Sequence, residues 1–277
     1  MSGMARSHLY VPGDAPDKLG KALGRGADAL IVDLEDAVPP AGKDAAREAV
    51  AGWLRETDPG PVELWVRVNP GPLREADVRA VATAPSLAGL VVAKVESAAE
   101  LAELDTLLTA LGADGVPVVP LLESASAIFQ ALEIARGPRV ARLQVGEADL
   151  RADTGVTTGP DERELLWARS QVVFASAAAG ISPPVGPVST DFRDLDALRA
   201  STEAIARLGY AGRACIHPAQ IAVVNEVFTP SAERVAWARD LVERFEASGS
   251  GVLLDSAGRM VDEAVVRQAR RVLGMAR

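Results

Sequence analysis

The sequence is poor in cysteine and has no long apolar run. Cys215 is its one cysteine, so an internal disulfide framework is excluded and a reducing compartment is expected. No stretch reaches the ~18 consecutive apolar residues of a membrane span. The opening residues MSGMARSHLYVPGD have no charged segment followed by an apolar stretch, so no signal peptide is evident. These absences predict a cytoplasmic protein that is not inserted in a membrane.

Basic residues are also in deficit. The chain of 277 residues carries 29 Lys and Arg against 38 Asp and Glu, a formal net charge of −9. Nucleic-acid phosphates are bound by clustered Lys and Arg, so this balance argues against a dedicated nucleic-acid binder. A local basic pocket for a phosphorylated ligand is compatible with it. No G-x-G-x-x-G motif follows an apolar run, which argues against a dinucleotide-binding fold.

Short apolar runs are what the sequence does contain. Eight of them read as strands, and they are continuous rather than alternating in hydrophobicity. That pattern is typical of parallel strands that are covered on both faces. The seventh run is the weakest, because three of its residues are prolines. In chain order the runs are SHLYVPG, ALIVDLE, ELWVRVN, GLVVAKVE, VPVVPLLE, RLQVGEAD, SPPVGPV and RACIHP.

Helical patterns separate these runs. The segment SAAELAELDTLLTALG opens with Ser97, has Glu100 three residues later as in a capping box, and continues with a leucine stripe. Strand followed by helix, repeated eight times, predicts a (β/α)8 TIM barrel over residues 1–228, with a doubly wound open sheet as the alternative. Residues 229–277 read as two more helices around a short hairpin and predict a C-terminal helical arm or lid.

Polar side chains gather at the predicted strand ends. In a barrel of this class the carboxyl ends of the strands form one mouth, where the chemistry takes place. Acidic groups outnumber basic ones there, and carboxylates forced together raise one another's pKa unless a cation joins them. Oxygen ligands without a cysteine or histidine cluster suit Mg²⁺, so the sequence predicts a magnesium site. The residues concerned are Asp33, Glu35, Asp36, Arg67, Asn69, Lys94, Glu96, Glu123, Ser124, Glu147, Asp149 and His217.

Ordinary structural roles are open to most of these residues when each is taken singly. Asp33 is a candidate helix cap or a partner for Arg67. Lys43 lies on a helix face that reads as solvated, with a phosphate contact as the alternative. His217, before a proline, reads as a structural histidine, and Cys215 as a small core residue, because no basic neighbour in the sequence would activate its thiol. A functional interpretation therefore rests on the convergence of many side chains.

Several motifs, taken together, resemble one family. They begin with RSHLYVPGDAPDKLGKALGRGADALIVDLEDAVPPAGKDAARE and continue with WVRVNP, VVAKVES, LLESASAI, LQVGEADLRADTG, GRACIHPAQIAVVNEVFTPS and MVDEAVVRQARRVL. These segments are similar to the citrate lyase beta subunit and its stand-alone relatives in the HpcH/HpaI aldolase and citrate lyase family, which includes malyl-CoA and citramalyl-CoA lyases. The resemblance covers nearly the whole chain.

The resemblance implies a Mg²⁺-dependent (β/α)8 barrel, trimeric or hexameric, that makes or breaks a carbon–carbon bond beside a thioester. Glu123 and Asp149 match the family's metal carboxylates. Arg67 matches the arginine that holds the reacting oxygens. Glu35 and Asp36 match acids that hydrogen-bond the waters of the metal.

Three further positions bear on the substrate and on the acid–base group. Arg6 and Lys43 match family positions near the coenzyme A or acyl-carrier end of the substrate. Asp262 matches an aspartate that, in the coenzyme A lyases, reaches from the C-terminal segment into a neighbouring protomer's site and acts as acid or base at the acetyl carbon. Asp262 also stands where the N-cap of the last helix belongs, so a purely structural role is open to it.

The activity that the resemblance implies is cleavage or formation of a 3-hydroxyacyl-CoA thioester, with acetyl-CoA and a 2-keto acid as the other partners. The alternatives are a citrate lyase beta subunit acting on an acyl-carrier-protein thioester, an acyl-CoA thioesterase at the same site, and a barrel that only binds. The presence of Asp262 favours the self-sufficient lyase. The sequence does not identify the keto acid, since an apolar pocket discriminates a methyl group by only ~1–3 kcal/mol.

Overall fold

The structure, a computed structural model, describes residues 4–248, 251–255 and 258–276. The chain divides into two compact units. The larger is Ala5–Asn225, which contains the main sheet, and the smaller includes Glu226–Arg277. Among the described residues, no helix is long and apolar enough to cross a membrane.

Seven parallel strands form the main sheet. They are β1 (Ser7–Pro12), β2 (Ala29–Asp33), β3 (Glu63–Val68), β4 (Leu87–Val92), β5 (Val118–Leu122), β6 (Gln144–Val145) and β7 (Arg213–Cys215). Their spatial order is β6-β5-β4-β3-β2-β1-β7. All five positions of β2 are buried, as its continuous apolar sequence predicts for a strand covered on both faces. The register pairs Asp33 with Arg67 of the neighbouring strand, so their side chains start from the same level of the sheet.

Helices follow the strands through the larger unit. They are α1 (Pro16–Ala22), α2 (Lys43–Glu56), α3 (Leu73–Val81), α4 (Ala98–Ala110), α5 (Ala125–Phe129), α6 (Ala131–Ala135), α7 (Glu147–Thr154), α8 (Leu166–Ala179), α9 (Leu195–Leu208) and α10 (Ala219–Val227). The predicted capping box of α4 is not formed. Ser97 is the N-cap, but its side chain makes no capping hydrogen bond. Glu100 accepts instead from the Glu96 N–H at 2.9 Å, one residue further back.

The prediction of eight strands is wrong at the seventh apolar run, residues 182–188. This segment pairs only through two isolated parallel bridges, Gln144 with Val185 and Gly186 with Arg213. The physical reason is its three prolines, which have no N–H to donate to a ladder. The architecture is therefore an α/β half-barrel that resembles a TIM barrel, with seven strands rather than a closed ladder of eight.

Two buried arginines hold the proline-rich segment in place. Arg142 donates from Nε to the Pro183 carbonyl at 3.0 Å and from Nη2 to the Ala211 carbonyl at 3.1 Å. Arg213 donates from Nε to the Pro187 carbonyl at 2.9 Å. These bonds use carbonyl groups that a strand ladder would otherwise have satisfied. Arginine side chains thus take over part of the work of the missing eighth strand.

The smaller unit confirms the predicted helix, hairpin and helix. It contains α11 (Ala232–Ser248), the antiparallel pair β8 (Val252–Leu254) and β9 (Met260–Asp262), and α12 (Glu263–Met275). Its core is a cluster of small and branched apolar residues that includes Leu241, Val261 and Val266. Asp262 is the N-cap of α12, and its Oδ1 accepts from the N–H groups of Ala264 at 2.9 Å and Val265 at 3.2 Å.

Candidate active site

Asp33 and Arg67 form the base of the site. Asp33 is the last residue of β2, and both of its oxygens hold the guanidinium: Nε to Oδ1 at 2.7 Å and Nη2 to Oδ2 at 2.6 Å. Both residues are buried. The same carboxylate also accepts from the N–H groups of Glu35 at 2.8 Å and Ala37 at 3.1 Å. Asp33 is therefore the partner of Arg67, as one of its two predicted roles required, and it caps the turn that follows β2 rather than a helix.

The acids that follow Asp33 face the same arginine. Nη1 of Arg67 lies 2.9 Å from Oε2 of Glu35 and 3.7 Å from Oδ2 of Asp36. Glu35 is buried, whereas 57% of the Asp36 side chain is exposed. Because a guanidinium carries five N–H donors, Arg67 keeps donors for a ligand after binding these carboxylates. Arg67 thus offsets part of the negative charge crowded at the end of β2.

Hydrogen bonds from two side chains support the turn that carries Glu35. Lys43 donates from Nζ to the carbonyls of Leu34 at 2.7 Å and Glu35 at 2.6 Å. Asn69 donates from Nδ2 to the Leu34 carbonyl at 2.8 Å. The buried Asp77 in turn accepts from the same amide at 2.7 Å. In this structure Lys43 supports the acidic turn, and its predicted contact with coenzyme A stays a prediction.

Glu123 and Asp149 form a second acidic pair in the same pocket as Asp33 and Arg67. Glu123 directly follows β5 and is buried, while Asp149 lies in the first turn of α7 with 42% of its side chain exposed. Burial, and then the charge of Asp149, raises the pKa of Glu123 to about 8. Gly146 leaves the necessary room, because a Cβ at this position would lie 2.5 Å from Oε1 of Glu123.

The two carboxylates fit a magnesium ion. Oε2 of Glu123 accepts from the Lys94 N–H at 2.9 Å, while Oε1 receives no hydrogen bond from any residue that the structure describes. No group of three or more His, Cys, Asp or Glu side chains with the arrangement of a metal site occurs in the described ranges. Mg²⁺ commonly takes one or two protein carboxylates and keeps its other positions for water and substrate oxygens. Burial and the charge of Asp149, which raise the pKa of Glu123, disfavour its ionised form, and a bound cation would favour that form.

Lys94 is a member of the site whose role the sequence did not reveal. It follows β4 and is one of three non-glycine residues with a positive φ among those described, at 52°. Its ammonium forms an ion pair with Glu35 and lies 3.4 Å from Oδ1 of Asp36 and 4.0 Å from Oδ1 of Asp149. The available signal was its position, since Lys94 and Arg67 are the two basic residues at the predicted strand ends.

A pocket of about 380 Å³ opens over these groups. The charged residues that line it include Asp33, Arg67, Glu123 and Asp149. The guanidinium carbon of Arg67 lies over the ring of Tyr10, 5.0 Å from the ring centre. The Tyr10 hydroxyl accepts a hydrogen bond from Nε2 of Gln144 at 3.0 Å. Its apolar lining includes Leu121, Val145, Val188 and Ile216.

Other predicted residues lie elsewhere. Arg6 precedes β1, at the opposite end of the strands from Asp33, and its guanidinium pairs with Asp28 at 2.7 Å. Asp262 belongs to the smaller unit, where it caps α12 as the structural prediction required. Cys215 is fully buried, and burial raises the pKa of its thiol to about 12, which confirms a core role. His217 stacks on a phenylalanine ring with the centroids 4.6 Å apart.

The fold and the site define a barrel-like α/β protein with an acidic, arginine-anchored pocket at the carboxyl ends of its strands. The sequence profile of the HpcH/HpaI aldolase/citrate lyase family matches residues 6–218. The chain belongs to this family, and the predicted resemblance is confirmed.

Similar proteins include lyases of known type. The citrate lyase subunit beta of Leuconostoc mesenteroides subsp. cremoris is 35% identical over 285 residues, which cover 99% of this chain and 93% of that protein. The mitochondrial citramalyl-CoA lyase of Rattus norvegicus is 31% identical, with coverage of 98% and 86%. Among solved structures, the protein CitE of Mycobacterium tuberculosis in complex with magnesium, acetoacetate and coenzyme A is 29% identical, with a TM-score of 0.79 and coverage of 99% and 98%.

Proposed function

We propose that this chain is a Mg²⁺-dependent acyl-CoA lyase that cleaves, or forms, a 3-hydroxyacyl-CoA thioester, with acetyl-CoA and a 2-keto acid as the other partners. One observation carries the proposal: the pair Glu123 and Asp149 faces an arginine that Asp33 fixes within the same pocket. The named activities of the similar lyases support it, as does the magnesium and coenzyme A complex of the neighbouring structure. A reducing compartment, the cytoplasm, is part of the proposal because the one cysteine is a free, buried thiol.

Glu123 and Asp149 would hold the metal, which when bound supplies Lewis acidity to the oxygens of the keto acid. In cleavage the substrate hydroxyl passes its proton to solvent water, the bond between its carbon and the thioester's α-carbon breaks, and the electron pair of that bond passes to a thioester enolate. Arg67 stabilises the enolate oxygen through a charge-assisted hydrogen bond, because Asp33 keeps its guanidinium in one orientation. Glu35 and Asp36 would hydrogen-bond the waters of the bound metal.

Asp262 supplies the proton in this proposal. It donates a proton to the enolate carbon in cleavage and removes one from acetyl-CoA in condensation. The resemblance supports this role, and it assigns Asp262 to the site of a neighbouring protomer. The assignment can be tested by co-expressing an Asp262→Ala chain with a Glu123→Gln chain, each inactive alone. Recovery of about a quarter of the wild-type sites is expected for random cyclic assembly, and no recovery would contradict action in a neighbouring site.

A homotrimer or hexamer is part of the same proposal. Three aromatic side chains of α5 and α8 are largely exposed: Phe129 at 72%, Trp167 at 55% and Phe174 at 74%. The rings of Phe129 and Trp167 lie 5.1 Å apart, and Phe174 follows Trp167 by seven residues, two helical turns along the same face. A contiguous apolar surface of this kind is typical of a subunit contact. Light scattering after size-exclusion chromatography measures the assembly, and a monomer at micromolar concentration would contradict it.

The citrate lyase beta subunit is the second candidate, because the Leuconostoc mesenteroides relative bears that name. Product analysis separates the candidates. The proposed lyase releases equal amounts of acetyl-CoA and 2-keto acid from a coenzyme A thioester in the presence of Mg²⁺, and neither in the presence of a chelator. A beta subunit is active only on a carrier-protein thioester. Release of free coenzyme A without keto acid would indicate a thioesterase.

A further inference from the structure

The backbone conformation of Lys94 directs its N–H and its side chain toward two different acidic groups. Its φ of 52° is left-handed, a conformation that non-glycine residues adopt at a cost in free energy and that clusters at functional sites. In this conformation its N–H donates to Oε2 of Glu123 at 2.9 Å. Its side chain extends to the other acidic group, where the ammonium pairs with Glu35. One residue therefore connects the acids at the end of β2 with those at the ends of β5 and β6.

The ammonium of Lys94 reaches acids that Arg67 does not. Arg67 makes its ion pairs with Asp33, Glu35 and Asp36. Lys94 is the one basic group within 4.0 Å of Asp149 among the residues that the structure describes. With 36% of its side chain exposed, it is far less enclosed than Arg67 at 10%. Lys94 thus supplies a partly exposed positive charge within 4.0 Å of Asp149, one of the two proposed metal carboxylates.

We propose that the ammonium of Lys94 is an internal counter-cation, which holds the acids of the pocket together in the metal-free protein and thereby sets the affinity for Mg²⁺. The inference rests on the proposed metal site at Glu123 and Asp149. Carboxylates brought together without a cation repel one another, and Lys94 offsets that repulsion before a metal arrives. The same positive charge repels an incoming Mg²⁺. Lys94 acts on metal binding through the carboxylates and is a positioning residue.

Three substitutions at this position separate charge from backbone. Lys94→Met removes the ammonium and keeps a side chain of similar length. Lys94→Gly removes it and also relieves the positive φ. Lys94→Arg keeps the charge and is the matched control. The main-chain N–H that binds Glu123 is present in all three, so a change shared by the first two and absent from the third reports the charge alone.

The readout is Mn²⁺ binding by calorimetry and thermal unfolding of the chelator-treated protein, neither of which depends on turnover. Lys94→Met and Lys94→Gly are expected to bind Mn²⁺ roughly tenfold more tightly than wild type, and Lys94→Arg as wild type does. Lys94→Met is expected to unfold at a lower temperature than wild type without metal, and this difference should close at saturating Mn²⁺. Unchanged or weaker binding by both neutral variants, beside normal binding by wild type, would overturn the role of Lys94 alone. Failure of wild type to bind Mn²⁺ would overturn the metal site as well.

Discussion

Both carboxylate oxygens of Asp33 accept hydrogen bonds from the guanidinium of Arg67, at 2.7 and 2.6 Å. The two residues are register partners on neighbouring parallel strands. The register alone brings the two residues to the same level, and burial keeps water from competing for the pair. The result is a guanidinium with a fixed orientation, whose remaining donors face the pocket. Everything proposed for the reaction depends on that orientation.

Replacing Arg67 with lysine tests the orientation separately from the charge. Lys cannot form the two parallel bonds to Asp33, so we expect kcat to fall on the order of 100-fold while a positive charge remains. Arg67→Met is the matched variant for charge. It leaves Asp33 buried without its cation, while Glu35 keeps its ion pair with Lys94, and it is expected to lower the free energy of unfolding by about 3–5 kcal/mol. Steady-state kinetics measures the loss of kcat, and urea unfolding measures the loss of stability. A fully active Arg67→Lys enzyme would contradict the role of the two parallel hydrogen bonds to Asp33.

Gly146→Ala tests the space beside Glu123. The added Cβ would lie 2.5 Å from Oε1 of Glu123 and must displace that carboxylate. We expect the affinity for Mn²⁺ to fall by about tenfold or more, because displaced ligands cost binding free energy. Gly20→Ala is the matched control, since Gly20 lies within α1 and a Cβ there meets nothing within 4 Å. Calorimetric titration of both variants decides the matter, and equal affinities would remove Gly146 from the site.

The raised pKa of Glu123 predicts a pH dependence of metal binding. The folded carboxyl titrates at about 8, against about 4.3 in an unfolded chain. Between these values the native metal-free protein keeps a proton that the unfolded chain has lost, so its free energy of unfolding falls as pH rises. A metal must displace that proton. Affinity for Mg²⁺ should therefore rise with pH across this window, by up to about tenfold per unit for one proton.

Calorimetry in buffers of different ionisation enthalpy measures the protons released on metal binding. One proton per Mg²⁺ is expected near pH 6.5, and none well above pH 8. Glu123→Gln should lose the metal affinity together with its pH dependence. An affinity that is flat from pH 5 to pH 8 would show that Glu123 is ionised before the metal binds, which is contrary to the effect of its burial.

Asp262 has a structural role and a proposed catalytic one, and two substitutions separate them. Asparagine is a good N-cap, so Asp262→Asn should keep the bonds to the N–H groups of Ala264 and Val265 and leave stability unchanged. It cannot act as an acid, so turnover should fall at least about 100-fold. Asp262→Ala should lose both the turnover and about 1 kcal/mol of stability from the cap. Wild-type turnover by Asp262→Asn would leave Asp262 a cap and nothing more.

Most of the fold could be predicted from the continuous apolar runs, because burial on both faces leaves a clear pattern in the sequence. Seven runs are strands. The remaining run, the seventh in chain order, is not a strand, because three prolines at residues 182–188 remove N–H donors. Hydrophobicity alone carries no information about those donors. The bonds from Arg142 and Arg213 that compensate are long-range and leave no local signal.

The site was predictable as a set of strand ends but not as a network. The rule for parallel strands brings Glu123 and Asp149 to the end where Arg67 lies, and the structure places them in one pocket. The pairing of Asp33 with Arg67 depends on register, and the role of Lys94 on a left-handed backbone. The sequence offered the pairing only as one of two roles for Asp33, and the role of Lys94 is not visible in composition or spacing. The parallel direction of the strands does explain the position of Arg6, which precedes β1 and so lies at the opposite end of the strands from Asp33.

The proposed Mg²⁺-dependent lyase activity can be measured as the release of acetyl-CoA and keto acid. The substrates are malyl-CoA, citramalyl-CoA and citryl-CoA, each with Mg²⁺ and with a chelator. Glu123→Gln serves as the control for the metal site. We expect at least one thioester to yield acetyl-CoA and keto acid in equal amounts, only with Mg²⁺ and only in the presence of Glu123. Cleavage that persists in the chelator, or release of free coenzyme A without keto acid, would contradict it.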